Sequence, residues 1–196
     1  MIPRSAVSLV AAELLAFASA ATLTAQVPGR IEFRALAGAA VPLAPSEFSD
    51  SWSPGPGAAV GVAYALAPGT ALGVEAEFAR YPHAPFFPPV EPIPEGQVRT
   101  NDPPASLWAA WLDGSHSFLS GGIQPRLHGG IGAVAFGATR TGLGLRLGAG
   151  LDLPLAPHLA MVLDATFAHA FISPGTGYAL DTSYSYLPVR VGVSWQ

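Results

Sequence analysis

The chain contains no cysteine, no lysine and few charges of either sign. Without cysteine it can form no disulfide, no thiolate metal site and no cysteine nucleophile. All nine basic residues are arginine, and thirteen acidic residues leave a formal net charge of -4. A phosphate-binding surface needs clustered basic residues, so nucleic acid is not expected as a partner. Charged residues make up only 11% of the chain, against roughly 25–35% on the surface of a typical soluble domain. After residue 26 no apolar run approaches the length of a spanning helix, so a membrane could be crossed only by strands.

What is present is apolar and rich in turn formers. Half of the 196 residues are hydrophobic, with 22 glycines and 20 prolines. Such a chain is too apolar for disorder, too rich in helix breakers for a bundle, and long enough for one domain. Residues 1–25 read as an export signal: Arg4 supplies charge, "AVSLVAAELLAFASAA" the apolar region, and cleavage is expected after Ala20 or Ala25. Glu13 interrupts that run, and the alternative is a membrane-anchor helix. The remaining residues, 26–196, form the expected domain.

Segments of about ten residues with period-two patterning recur along it, as a tilted spanning strand requires. Strands are expected near residues 30–40, 57–66, 70–80, 105–114, 125–136, 141–154, 158–171 and 183–195. "LAPGT" and "LAPH" read as tight turns, whereas residues 41–56, 81–104 and 172–182 read as long loops, the turn-and-loop asymmetry of an outer-membrane barrel. Residues 115–124 are long for a turn and 137–140 short for an outer loop. "APGTALGVEAEFA" (67–79) also aligns without gaps on "APHLAMVLDATFA" (156–168), matching Glu75 with Asp164 and Phe78 with Phe167.

The alternation sorts residues onto two faces. In "GLGLRLGAGLDLPL" (142–155) leucines hold one parity, while glycines, Arg146 and Asp152 hold the other. Elsewhere Ile31 and Phe33 oppose Glu32 and Arg34, Leu72 and Val74 oppose Glu75 and Glu77, and Val189 and Val191 oppose Arg190. The polar face is mostly Gly and Ala, a poor coat for a soluble domain but suited to the inside of a narrow barrel. Its charges nearly balance: Arg34, Arg126, Arg146 and Arg190 against Glu32, Glu75, Glu77, Asp152 and Asp164. They are expected to form a lumenal ionic network, because isolated charges there would be costly. Tyr64, Tyr81, Trp108, Tyr184 and Trp195 fall near strand ends, as interface aromatics do, or else belong to a core. Trp108 and Trp111 cannot both face lipid on a regular strand.

The signal, the strand lengths, the "LAP" turns followed by a strand with an inward acid, and the ending "YLPVRVGVSW" resemble the small outer-membrane β-barrel proteins, the OmpA-, OmpX- and OmpW-like group. The resemblance implies an all-β, eight-stranded antiparallel up-and-down transmembrane barrel in an outer membrane. Outer-membrane lipid and lipopolysaccharide are expected as its surroundings, and a monomer as its state. The resemblance also implies that Arg190, Gly192 and Trp195 resemble the signal read by the outer-membrane assembly machinery, although Gln196 stands where an aromatic residue is usual.

Chemistry is sparse. His169, Ser173 and Asp181 supply the residue types of a Ser-His-acid arrangement without a fixed geometry, so no catalytic residue is assigned. His83, His116, His128 and His158 are scattered without metal-ligand spacing, and neither a metal nor a cofactor is expected. "GLGLRLGAG" is no phosphate loop, since alternation runs through it and no helix follows. The Pro-rich segment 81–104 carries Phe86, Phe87, Val90 and Ile93, either folded over the mouth or contacting a partner, lipopolysaccharide or an apolar ligand. The expected role is structural or surface interaction, with a closed lumen and no enzymatic activity. The alternatives are a small barrel transporter or channel for apolar molecules and a soluble secreted β-barrel or sandwich binding module.

Overall fold

In the computed structural model, the structure describes residues 28–82, 104–118, 122–137, 140–172 and 183–196. The expected export signal and the apolar loop residues Phe86, Phe87, Val90 and Ile93 lie outside these residues. Eight antiparallel strands close on themselves in sequence order: β1 (Ile31–Ala44), β2 (Gly55–Ala67), β3 (Thr70–Tyr81), β4 (Ala105–Ser117), β5 (Gln124–Phe136), β6 (Arg140–Ala156), β7 (Leu159–Ile172) and β8 (Ser183–Trp195). One short helix, α1 (Ser46–Ser51), lies between β1 and β2.

Closure is made by β1 pairing with β8, from Phe33 opposite Trp195 to Ala44 opposite Ser185. With an even number of strands, both chain ends share one rim with the β2–β3, β4–β5 and β6–β7 turns. This is the terminus end; the opposite rim is the loop end. At the β2–β3 turn Gly69 takes φ +73, a left-handed conformation in which a side chain would be strained.

Alternation decides what faces in. The leucines of β6 lie on the outer wall, Leu143 73% and Leu147 67% exposed, with Val189, Val191 and Val193 on β8. A soluble barrel or sandwich would need that stripe inside. Inward positions alternate large and small side chains around the wall. Trp111, Gly132 and Gly144 are consecutive partners across β4, β5 and β6. A Cβ on Gly144 would come within 2.7 Å of the Trp111 ring and 2.8 Å of Val134. The glycines of the polar face therefore make room for large lumenal groups, and substituting them would overpack a narrow interior.

Three expectations change. Residues 41–56 are not one loop: β1 continues to Ala44 because β8 still pairs with it at Val41 and Pro42, and α1 follows. β4 runs to Ser117, which shortens the following connection. Tyr81 and Tyr184 are not interface aromatics; they share the inward parity and are buried, whereas Tyr64, Trp108 and Trp195 are exposed on the wall. Trp111 takes the inward side and Trp108 the outward one.

Leu147 sits halfway along β6, and replacing it with arginine should lower the unfolding free energy in phospholipid vesicles by about 2–4 kcal/mol, the cost of a cation at the bilayer midplane. A guanidinium-chloride midpoint that stays put would show that this wall faces water.

Candidate functional site in the lumen

Two layers fill the barrel, an ionic one from its middle toward the terminus end and an aromatic one at the loop end. Arg146 on β6 anchors the first. Its Nη1 donates to Glu75 Oε1 at 2.7 Å, its Nε donates to Asp113 Oδ1 at 2.7 Å, and Nη2 completes a bidentate grip on Asp113 Oδ2. Glu77 Oε2 lies 3.5 Å from Arg146 Nη1 and accepts a 3.0 Å hydrogen bond from Trp111 Nε1. The Trp111 ring lies under the Arg146 guanidinium, 4.8 Å from its centre, a cation–π contact strengthened by exclusion of water.

Arg190 on β8 bridges to the far wall, donating to Glu75 Oε1 at 3.1 Å and to Asp164 Oδ1 at 2.8 Å. Glu75 and Asp164 are the matched acids of the two repeated segments. Equivalent positions of two hairpins thus meet on one arginine. Asp164 is 2.8 Å from His128 Nε2, accepts from Thr166 Oγ1 at 2.9 Å and lies 3.8 Å from Arg126 Nη2. Arg126 continues to Asp152 at 3.3 Å, and Arg34 pairs with Glu32 at 2.5 Å on β1. Each of the nine residues expected in the lumen points inward and has an ionic partner there.

The network also contains residues the sequence reading left out. Asp113 is the bidentate partner of Arg146, and His128 and Thr166 complete the shell around Asp164. Asp113 was legible as an inward acid only through Trp111, two positions earlier on the same parity. Six carboxylates face four guanidiniums and one imidazole, and a small cavity of about 30 Å³ among them is lined by Glu75, Asp113, His128 and Arg146. That volume holds a water or two.

The aromatic layer is centred on Phe48 of α1, which is 2% exposed. Its ring meets Tyr81, Phe136 and Tyr184 edge-on, with centroids 5.3, 5.4 and 5.1 Å away. The Tyr184 hydroxyl accepts from Arg140 Nη1 at 2.7 Å.

The residues weighed for catalysis separate. His169 Nδ1 lies 2.8 Å from Ser185 Oγ, its cross-strand neighbour on the outer wall, while Ser173 and Asp181 lie outside the described residues. At the other rim His116 Nδ1 pairs with Thr70 Oγ1 at 3.0 Å. Each histidine meets a phenylalanine two residues on, Phe171 and Phe118. The same arrangement thus recurs at both rims. Among the described residues no three metal-ligating side chains converge. Of the residues expected to form an assembly signal, Arg190 and Gly192 face in and Trp195 faces out, stacked 6.2 Å from Phe33.

No protein-family model matches the chain, and no curated protein matches it. Among solved structures it is similar to the Neisserial surface protein A (NspA), with 12% identity over 84% of this chain and 96% of that one and a TM-score of 0.58. It is also similar to the outer membrane protein OprG from Pseudomonas aeruginosa, with 11% identity over 86% of this chain and 95% of that one and a TM-score of 0.51. The fold is that of the small eight-stranded outer-membrane barrels. It does not by itself decide between a catalytic and a non-catalytic role.

Replacing Arg146 with leucine takes the guanidinium from Asp113 and one of two cationic partners from Glu75 and Glu77, and should cost about 3–5 kcal/mol. Replacing Arg80, exposed on the wall near the loop end, should cost far less. Equilibrium unfolding of both variants in the same detergent measures the difference, and equal midpoints would remove Arg146 from its anchoring place.

Proposed function

We propose that the chain is an outer-membrane barrel with a closed lumen and a structural or surface-interaction role. The observation that carries this reading is the filled interior. From the terminus end to the loop end the lumen passes from Glu32 and Arg34, through the Arg146 and Arg190 clusters, to the ring of aromatics around Phe48, with the 30 Å³ cavity far too small for a solute path. An apolar outer wall with every strand paired is what lipid requires of a spanning sheet. In this reading the terminus end faces the periplasm, the loops face outward, and lipid and lipopolysaccharide surround a monomer. The assembly machinery reads Arg190, Gly192 and Trp195 during insertion.

A closed interior leaves the loops as the place of contact. Phe86, Phe87, Val90 and Ile93 supply apolar side chains to such a contact, and deletion of residues 84–94 should abolish binding to vesicles containing lipopolysaccharide while leaving the barrel folded.

The closed lumen is tested in planar bilayers. The refolded chain should insert without a steady open level, whereas the Arg146→Leu and Phe48→Ala double variant should show flickering conductance. A persistent open level from the unsubstituted chain would overturn the reading in favour of a channel.

A further inference from the structure

Beneath Phe48, three buried polar atoms have no hydrogen-bond partner among the described residues: the hydroxyls of Tyr81 and Tyr186 and Oε1 of Glu77. Tyr81 and Tyr186 are both fully buried, and each lies within electrostatic reach of Glu77. Leaving such groups unpaired is costly, and a native interior normally satisfies them. They lie where the aromatic layer meets the ionic one. Above them the walls are apolar rings. Apolar walls converging on a few unsatisfied polar groups are the mark of a small-molecule pocket.

A ring already occupies the place above these groups. Phe48 is the one large apolar side chain that α1 sends into the barrel; Ser46 and Asp50 of the same helix are exposed. Its ring sits edge-on to Tyr81, Phe136 and Tyr184 in the arrangement aromatic pairs favour. A benzyl group fits there, yet it offers nothing to the hydroxyls and the carboxylate oxygen below. A six-residue helix is also among the more easily displaced parts of a fold.

The geometry points to a binding site at the loop end for a small single-ring aromatic molecule bearing a hydrogen-bonding group, a phenol-like ligand, whose ring takes the place of Phe48 and whose polar group serves Tyr81, Tyr186 and Glu77. The site does not depend on the surface role proposed above, since it lies inside the mouth.

The full-length mature barrel, refolded in detergent with carbon-labelled tyrosine and phenylalanine rings, is titrated with p-cresol and, as its apolar counterpart, toluene. In Phe48→Ala, whose folding is verified by its heat-dependent gel mobility, p-cresol should cause saturable shifts at Tyr81, Tyr184 and Tyr186 and bind about tenfold more tightly than toluene, the effect of roughly one added hydrogen bond. Adding Tyr81→Phe and Tyr186→Phe should erase that preference. In the unsubstituted chain p-cresol should bind more weakly and move the Phe48 resonances as it displaces the ring, a readout that stands even if Phe48→Ala fails to fold. Non-saturating shifts, or equal affinity for p-cresol and toluene, would overturn the assignment. Conductance plays no part in this readout, so its failure leaves the closed-lumen reading standing.

Discussion

Everything in this molecule depends on the pairing of β1 with β8. An open eight-stranded sheet would present two unpaired edges, and in lipid those N–H and C=O groups have no other partner. Closing the ladder from Phe33 and Trp195 to Ala44 and Ser185 removes both edges and separates an inner from an outer face. It also fixes the size of the interior. Eight strands leave a lumen that side chains can fill, so every inward residue competes for the same narrow space.

That competition explains why the inward face is polar yet mostly small. A guanidinium or an indole needs an empty neighbour, and the sequence supplies one at each crowded point: Gly132 and Gly144 flank Trp111, and Gly130 lies where a side chain would run into the Asp113 carboxylate. The large groups then bind one another. Trp111 belongs to both layers, donating to Glu77 on one side and supporting Arg146 with its ring face. Loss of Arg146 therefore loosens acids of β3 and β4 together: Asp113 loses its guanidinium, while Glu75 keeps Arg190 and Glu77 keeps Trp111.

Much of this was legible in the sequence because a strand repeats every two residues. Parity alone placed Glu32, Glu75, Arg146, Asp152, Asp164 and Arg190 on the inner face, and the paired "LAP" turns marked two hairpins of one kind. Parity failed where it had no contrast to work on. On β4 the run Ala109, Ala110, Trp111, Leu112 is apolar on both faces, so Asp113 lost its context and the side taken by Trp111 stayed open. Tyr81 and Tyr184 misled for another reason: a tyrosine near a strand end suits either an interface or a lumen, and only its register decides. Helix α1 left no periodic trace, because six residues give less than two turns, and nothing in "SEFSDS" says that Phe48 points into the barrel.

The two ends of the barrel are stabilised in different ways, and this bears on where function can reside. Toward the terminus end the lumen is held by charges from β1, β3, β4, β5, β6, β7 and β8, so no local movement can open it without separating several ion pairs at once. At the loop end it is held by ring contacts, those to Phe48 on a short helix and the stacking of Phe136 on Tyr184, with a 2.8 Å main-chain bond from Ser53 N to Pro82 O beside the helix. Displacing Phe48 exposes one ring and separates no charges. Stability that is cooperative below and local above confines conformational change to the mouth. The ionic layer then works as a fixed floor beneath the aromatic one.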